Sequence, residues 1–64
     1  MFELYKVIDM RGGKKLIYEG NNDEVMNEEL RKNSGLYMVK KDNCHIKVQS
    51  FGNGKTEIMD LWTE

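Results

Sequence analysis

The chain contains no alanine and no proline, and its 64 residues include one cysteine, Cys44, and one histidine, His45. A lone cysteine excludes an internal disulfide framework. Zinc takes at least three protein ligands, and adjacent strand residues such as Cys44 and His45 point to opposite faces of a sheet. No nucleophile–base pair and no glycine-rich phosphate loop accompany them. We therefore expect no catalytic residues, no metal and no cofactor.

Long apolar runs are also missing from the sequence. A membrane-spanning helix needs about 20 apolar residues in a row, so no such helix is predicted. Residues 1–10 interleave charged with apolar side chains, which is not the pattern of a secretory signal. A single thiol fits a reducing compartment. These features predict a cytoplasmic protein with no membrane association. The length predicts one small domain over residues 1–64, with a core of modest size.

Alternating apolar and polar side chains predict five strands, over residues 2–10, 15–19, 36–41, 44–51 and 56–62. Clusters of glycine, asparagine and aspartate between them predict turns. One helix is predicted between the second and third strands. Asn21 or Asn22 can cap its N-terminus, and Gly35 is the expected left-handed residue after its C-terminus.

The resulting order, β-β-α-β-β-β, predicts an α+β fold in which one helix packs on one face of an antiparallel sheet. The apolar stripe of the helix, expected to contact the sheet, consists of Val25, Met26 and Leu30. Strict alternation in the last strand places Ile58 and Leu61 on opposite faces.

Net charge is −1, but charge is unevenly distributed along the chain. Residues 19–30 contain five acids and no base, whereas residues 31–55 contain six bases and one acid. Such segments can complement one another within the fold. Alternatively, the acidic helix, with Asp23, Glu24 and Glu28, or the basic strands can contact a partner.

Aromatic residues offer a second candidate surface. Tyr5 and Tyr37 are predicted on the open face of the sheet, near Lys6, Lys40 or Lys47. Aromatic side chains beside basic ones on an open sheet can stack the bases of a single strand. The alternative is that both tyrosines only support the sheet as cross-strand pairs.

Residues 5–30 contain the stretches Tyr-Lys-Val-Ile-Asp, Lys-Leu-Ile-Tyr-Glu-Gly and Asp-Glu-Val. This segment resembles the opening of many small phage and prophage proteins, in which a hairpin leads into a helix and often into a helix-turn-helix. It is similar to nuclease-associated modular DNA-binding segments of that kind. The resemblance covers fewer than half of the residues, and residues 36–41 have the chemistry of a strand rather than of a recognition helix. No residue roles are carried over.

We therefore predict a non-enzymatic binding protein, a small phage or mobile-element protein that binds and modulates a host protein, for example as an inhibitor. The alternative is a small nucleic-acid-binding module that uses the basic and aromatic face of the sheet. An edge strand is a further contact, for a partner or for a second copy of the chain. The candidate contact residues are Asp23, Glu24, Glu28, Tyr5, Tyr37, Lys40 and Lys47.

Overall fold

The computed structural model describes residues 1–63. These residues form five strands and one helix, in the order β1 (Phe2–Val7), β2 (Lys14–Gly20), α1 (Asp23–Lys32), β3 (Ser34–Lys41), β4 (Cys44–Phe51) and β5 (Thr56–Thr63). All neighbouring strands are antiparallel, and the sheet order is β2-β1-β3-β4-β5. The predicted α+β fold is confirmed.

The helix begins where the sequence predicts. The Asn22 side chain accepts hydrogen bonds from the backbone N–H groups of Glu24 (3.0 Å) and Val25 (3.3 Å), which satisfies two donors that the first turn leaves without a partner. The helix ends at Lys32, but the predicted left-handed cap at Gly35 is wrong. Asn33 is already extended, so Gly35 lies inside β3 rather than after a helical cap.

The core lies between α1 and one face of the sheet, which we call the helix side. Its buried apolar residues are Leu4, Met26, Leu30, Tyr37, Val39 and Val48. Met26 and Leu30 pack against the sheet as predicted, whereas Val25 is 39% exposed and does not belong to the packed stripe. The other face of the sheet, which we call the open side, is not covered by α1.

The first strand is shorter than predicted because an aspartate starts the turn early. Asp9 Oδ1 accepts the backbone N–H groups of Arg11 and Gly13, each at 2.9 Å. Aspartate side chains often organise turns in this way, in competition with the strand ladder. β1 therefore ends at Val7, and Met10 lies in the loop, fully exposed.

Both edge strands contain a bulge that shifts the alternation of side chains. In β2, Ile17 is the extra residue between two that pair with β1. In β5, Met59 is the extra residue between two that pair with β4. A bulge places one extra residue opposite its partner strand, so residues on either side of it change parity. Ile58 therefore pairs with Val48, Leu61 pairs with Ile46, and both lie on the helix side. Their predicted separation onto opposite faces is wrong.

Within residues 1–63, no helix combines the length and the apolar character that crossing a membrane requires.

Candidate protein-binding surface

The most exposed apolar element of the protein is β5, at one edge of the sheet. Within residues 1–63 it pairs with β4 alone. Every residue of the strand is exposed, including Ile58 at 65% and Leu61 at 59%. Met59 and Trp62 also expose large apolar side chains. An edge strand presents backbone N–H and C=O groups to its surroundings, so β5 combines apolar contacts with hydrogen-bonding capacity. We call its eight residues the β5 surface.

On the helix side, the β5 surface extends the apolar core beyond the helix. Ile58 lies beside buried Val48, and Leu61 lies beside Ile46, which packs against the core. The two buried helix residues, Met26 and Leu30, pack in one cluster with residues of β1, β3 and β4. The core is therefore covered over these strands, while Ile58 and Leu61 on β5 are exposed.

On the open side, the β5 surface is acidic. Glu57 pairs with Gln49 and Asp60 pairs with Lys47. Asp60 Oδ1 also accepts the backbone N–H of Leu61 at 2.9 Å, which holds the carboxylate alongside the strand. Trp62 stacks on the His45 ring, with centroids 5.4 Å apart and planes 6° apart. This stack gives Trp62 a defined position on the open side.

The three acids predicted as partner contacts, Asp23, Glu24 and Glu28, are exposed on α1. Asp23 and Glu24 lie in its first turn, where negative charge is favoured by the helix dipole. They therefore have a local structural role that requires no partner. They also lie on the opposite side of the sheet from the other candidate contacts that are accessible.

The prediction that Tyr5 and Tyr37 share the open side is wrong. Tyr37 lies on the helix side, is 1% exposed and belongs to the core. Its hydroxyl donates to the backbone oxygen of Asn33 at 3.1 Å. Burial, with a smaller contribution from the negative charge of Glu29, raises the pKa of Tyr37. Because it is covered by the helix, Tyr37 cannot stack on a base or contact a partner.

Tyr5 does lie on the open side, where it is half-buried. Its hydroxyl donates to Glu3 Oε1 at 2.5 Å, and the Lys14 ammonium lies 4.5 Å from the centre of its ring. The hydrogen bond to Glu3, followed by burial, raises the pKa of Tyr5. One face of the ring is thus engaged by a cation and its hydroxyl by a carboxylate.

Lys6 pairs with Tyr37 on the helix side, so its predicted place on the open side is wrong. Lys40 and Lys47 do lie on the open side, but each has an acid as a cross-strand neighbour. Lys40 pairs with Glu3 on β1, and Lys47 pairs with Asp60 on β5. Opposite charges at directly facing positions stabilise a sheet and lower its positive potential, although within residues 1–63 neither lysine forms an ion pair with its facing acid. The basic residues of the later strands therefore alternate with acids instead of forming a continuous positive surface.

A shallow cleft of about 400 Å³ lies on the open side, between the β1–β2 loop and β3. Ile8, Met10, Leu36 and Met38 supply most of its apolar lining. Sequence reasoning missed this cleft. The available signal was that β3 is apolar on both faces, which left Leu36 and Met38 on the side opposite Tyr37.

Comparison of the chain with protein-family models, with curated proteins and with solved structures found no match. Within residues 1–63, no three histidine, cysteine, aspartate or glutamate side chains are grouped as ligands of a metal ion would be.

Proposed function

We propose that this protein is a non-enzymatic binding protein that holds a partner protein along the β5 surface. The observation that carries the proposal is an edge strand exposed along its whole length, with large apolar side chains. Extended segments of other proteins bind such edges by adding a strand, in which main-chain hydrogen bonds supply affinity and side chains supply specificity. The resemblance of residues 5–30 favours a phage or mobile-element protein that modulates a host protein.

The β5 surface is a better candidate than the acids of α1. Exposed carboxylates on a helix remain hydrated, and an ion pair formed with them adds little affinity. Exposed aliphatic side chains gain free energy when a partner covers them, because apolar surface leaves water. Ile58 and Leu61 lie on the same side of β5, so one partner segment can cover both side chains.

The geometry also favours a protein partner over a nucleic acid. Stacking of bases on the open side was predicted to use Tyr5 and Tyr37 together, and Tyr37 is buried on the other side. Lys40 and Lys47 each face an acid across the strand ladder. A nucleic-acid surface needs uncompensated positive charge to displace counterions from phosphates.

Capture of partners from a bacterial lysate, with and without nuclease treatment, tests this proposal. The variant Ile58→Thr/Leu61→Thr keeps strand-forming residues but removes aliphatic surface, and Glu24→Gln/Glu28→Gln is the matched control on the helix. We expect one saturable protein partner, held equally by the wild type and the control. The β5 variant should bind the purified partner about 100-fold more weakly, because each truncation removes roughly 1–2 kcal/mol of apolar contact.

Two results would overturn the proposal. One is equal affinity of the partner for the wild type and for Ile58→Thr/Leu61→Thr. The other is capture that disappears on nuclease treatment, which would promote the nucleic-acid alternative. Circular dichroism of both variants confirms that any loss of binding is not a loss of fold.

A further inference from the structure

The two sides of β5 differ in chemistry, and this difference restricts which strand can be added to it. The helix side presents Ile58 and Leu61. The open side presents the carboxylates of Glu57 and Asp60. In an antiparallel or parallel ladder, each residue of an added strand lies beside a β5 residue on the same side.

A second copy of β5 is a poor occupant of this edge. Pairing two copies would bring Glu57 and Asp60 of one beside those of the other on the open side. Like charges at neighbouring cross-strand positions destabilise a sheet. Natural sheets use charge on edge strands to prevent pairing between copies, and the acids of β5 act in this sense.

The other edge of the sheet is also a poor match for β5. On β2 the apolar residues Ile17 and Tyr18 already pack against the core of their own chain. Lys15, which pairs with Lys6 on the helix side, would meet the aliphatic residues of β5. On the open side, Glu19 pairs with Glu3 and would meet the acids of β5, while the ammonium of Lys14 is already engaged over the ring of Tyr5. Pairing β2 of one copy with β5 of another would therefore place a lysine against aliphatic side chains on the helix side and a glutamate against acids on the open side.

We propose that the segment held on β5 is an extended strand with two unlike sides, basic on the side that meets Glu57 and Asp60 and aliphatic on the side that meets Ile58 and Leu61. This inference rests on the proposed function and adds the chemistry of the partner. Its sequence signature is lysine or arginine at alternate positions, with valine, isoleucine or leucine between them.

The position of Asp60 supports a basic neighbour. Its carboxylate lies alongside the strand, held by the backbone N–H of Leu61. The carbonyl of an added strand can accept that N–H and release the carboxylate to a lysine or arginine. Glu57 has the neutral Gln49 as its partner on β4, so its charge is not balanced across the ladder.

The test uses three labelled eight-residue peptides and fluorescence anisotropy. They alternate lysine with valine, glutamate with valine, and lysine with serine. We expect the lysine–valine peptide to bind at least about tenfold more tightly than either of the others, as cross-strand charge and apolar pairs together predict. Hydrogen exchange should show new protection at the amides of β5.

Charge reversal at β5 supplies the decisive comparison. In Glu57→Lys/Asp60→Lys the preference should invert, so that the glutamate–valine peptide binds more tightly. Glu57→Lys alone, which faces Gln49, should reduce the preference and keeps the test valid where a lysine beside Lys47 destabilises the fold. The helix variant Glu24→Gln/Glu28→Gln should bind like the wild type.

The remaining outcomes overturn the inference, and they distinguish failure of the partner chemistry from failure of the proposed function. Equal protection of β5 by the lysine–valine and glutamate–valine peptides leaves the proposed function standing and refutes the partner chemistry. Loss of binding in Glu24→Gln/Glu28→Gln assigns the peptide to the helix. If no peptide protects β5, or if sedimentation shows copies of the chain occupying it, the inference and the proposed function both fail.

Discussion

Truncation of Leu30 is the sharpest test of how the helix packs on the sheet. Leu30 is 6% exposed and lies one helical turn after Met26, the other buried residue of α1. These two side chains hold the helix against the core. Leu30→Ala removes buried apolar atoms and leaves a cavity, while the helix propensity of alanine adds no cost.

The expected loss follows from the position of Leu30. Buried leucine truncations cost about 2–5 kcal/mol, and the cost is smaller where neighbouring atoms can close the cavity. A single helix over a small sheet can shift toward the gap, so we expect a loss of about 2–4 kcal/mol. A chain of this length has a total stability of roughly 3–10 kcal/mol. The variant should therefore be much less stable and can be partly unfolded at room temperature.

Val25→Ala is the matched control, because Val25 is 39% exposed on the same helix. Its truncation should change stability by less than about 1 kcal/mol, since a small loss of contact is offset by the higher helix propensity of alanine. Urea unfolding, followed by far-ultraviolet circular dichroism, measures both variants. Equal midpoints for Leu30→Ala and the wild type would refute the packing described here, as would an equally large loss in Val25→Ala.

Three further predictions concern the cap, the buried tyrosine and the basic residues. Asn22→Ala should cost about 1 kcal/mol in urea unfolding, because two backbone donors lose their acceptor. The raised pKa of Tyr37 means that the unfolded chain ionises first, near pH 10, so stability present below that pH is lost as pH rises. Tyr37→Phe should reduce this loss, measured by urea midpoints from about pH 9 to pH 11. Lys40→Glu/Lys47→Glu should leave anisotropy with single-stranded DNA unchanged at physiological salt, since the wild type is expected not to bind; salt-sensitive binding by the wild type would contradict this.

The element order could be read from the chain because its signals are local. Asn22, one of the two asparagines predicted as the cap, accepts hydrogen bonds from residues two and three positions later. The turn at residues 52–54 lies where glycine allows positive φ, as at Gly52 (77°) and Gly54 (86°). Such signals depend on neighbours in sequence, so they act before any tertiary contact forms.

The side of the sheet covered by the helix was not determined by β3 alone. Its two faces are both apolar, with Leu36 and Met38 on one and Tyr37 and Val39 on the other. Alternation places each pair on one face but does not say which face becomes the core. The face that becomes the core is the one on which the helix packs. Because the helix packs on the face of Tyr37, this residue belongs to the core and is not a surface contact.

The sequence by itself determined the α+β class, the number and order of the strands in residues 1–63, and the start of the helix, because these follow from periodicity and local hydrogen bonding. Only the tertiary structure decided which side chains share a face on the β5 surface. The bulge at Met59 is a feature of the pairing between β4 and β5. It places Ile58 and Leu61 on one side and leaves the acids on the other, because a one-residue shift in a ladder of period two exchanges the faces of the residues that follow.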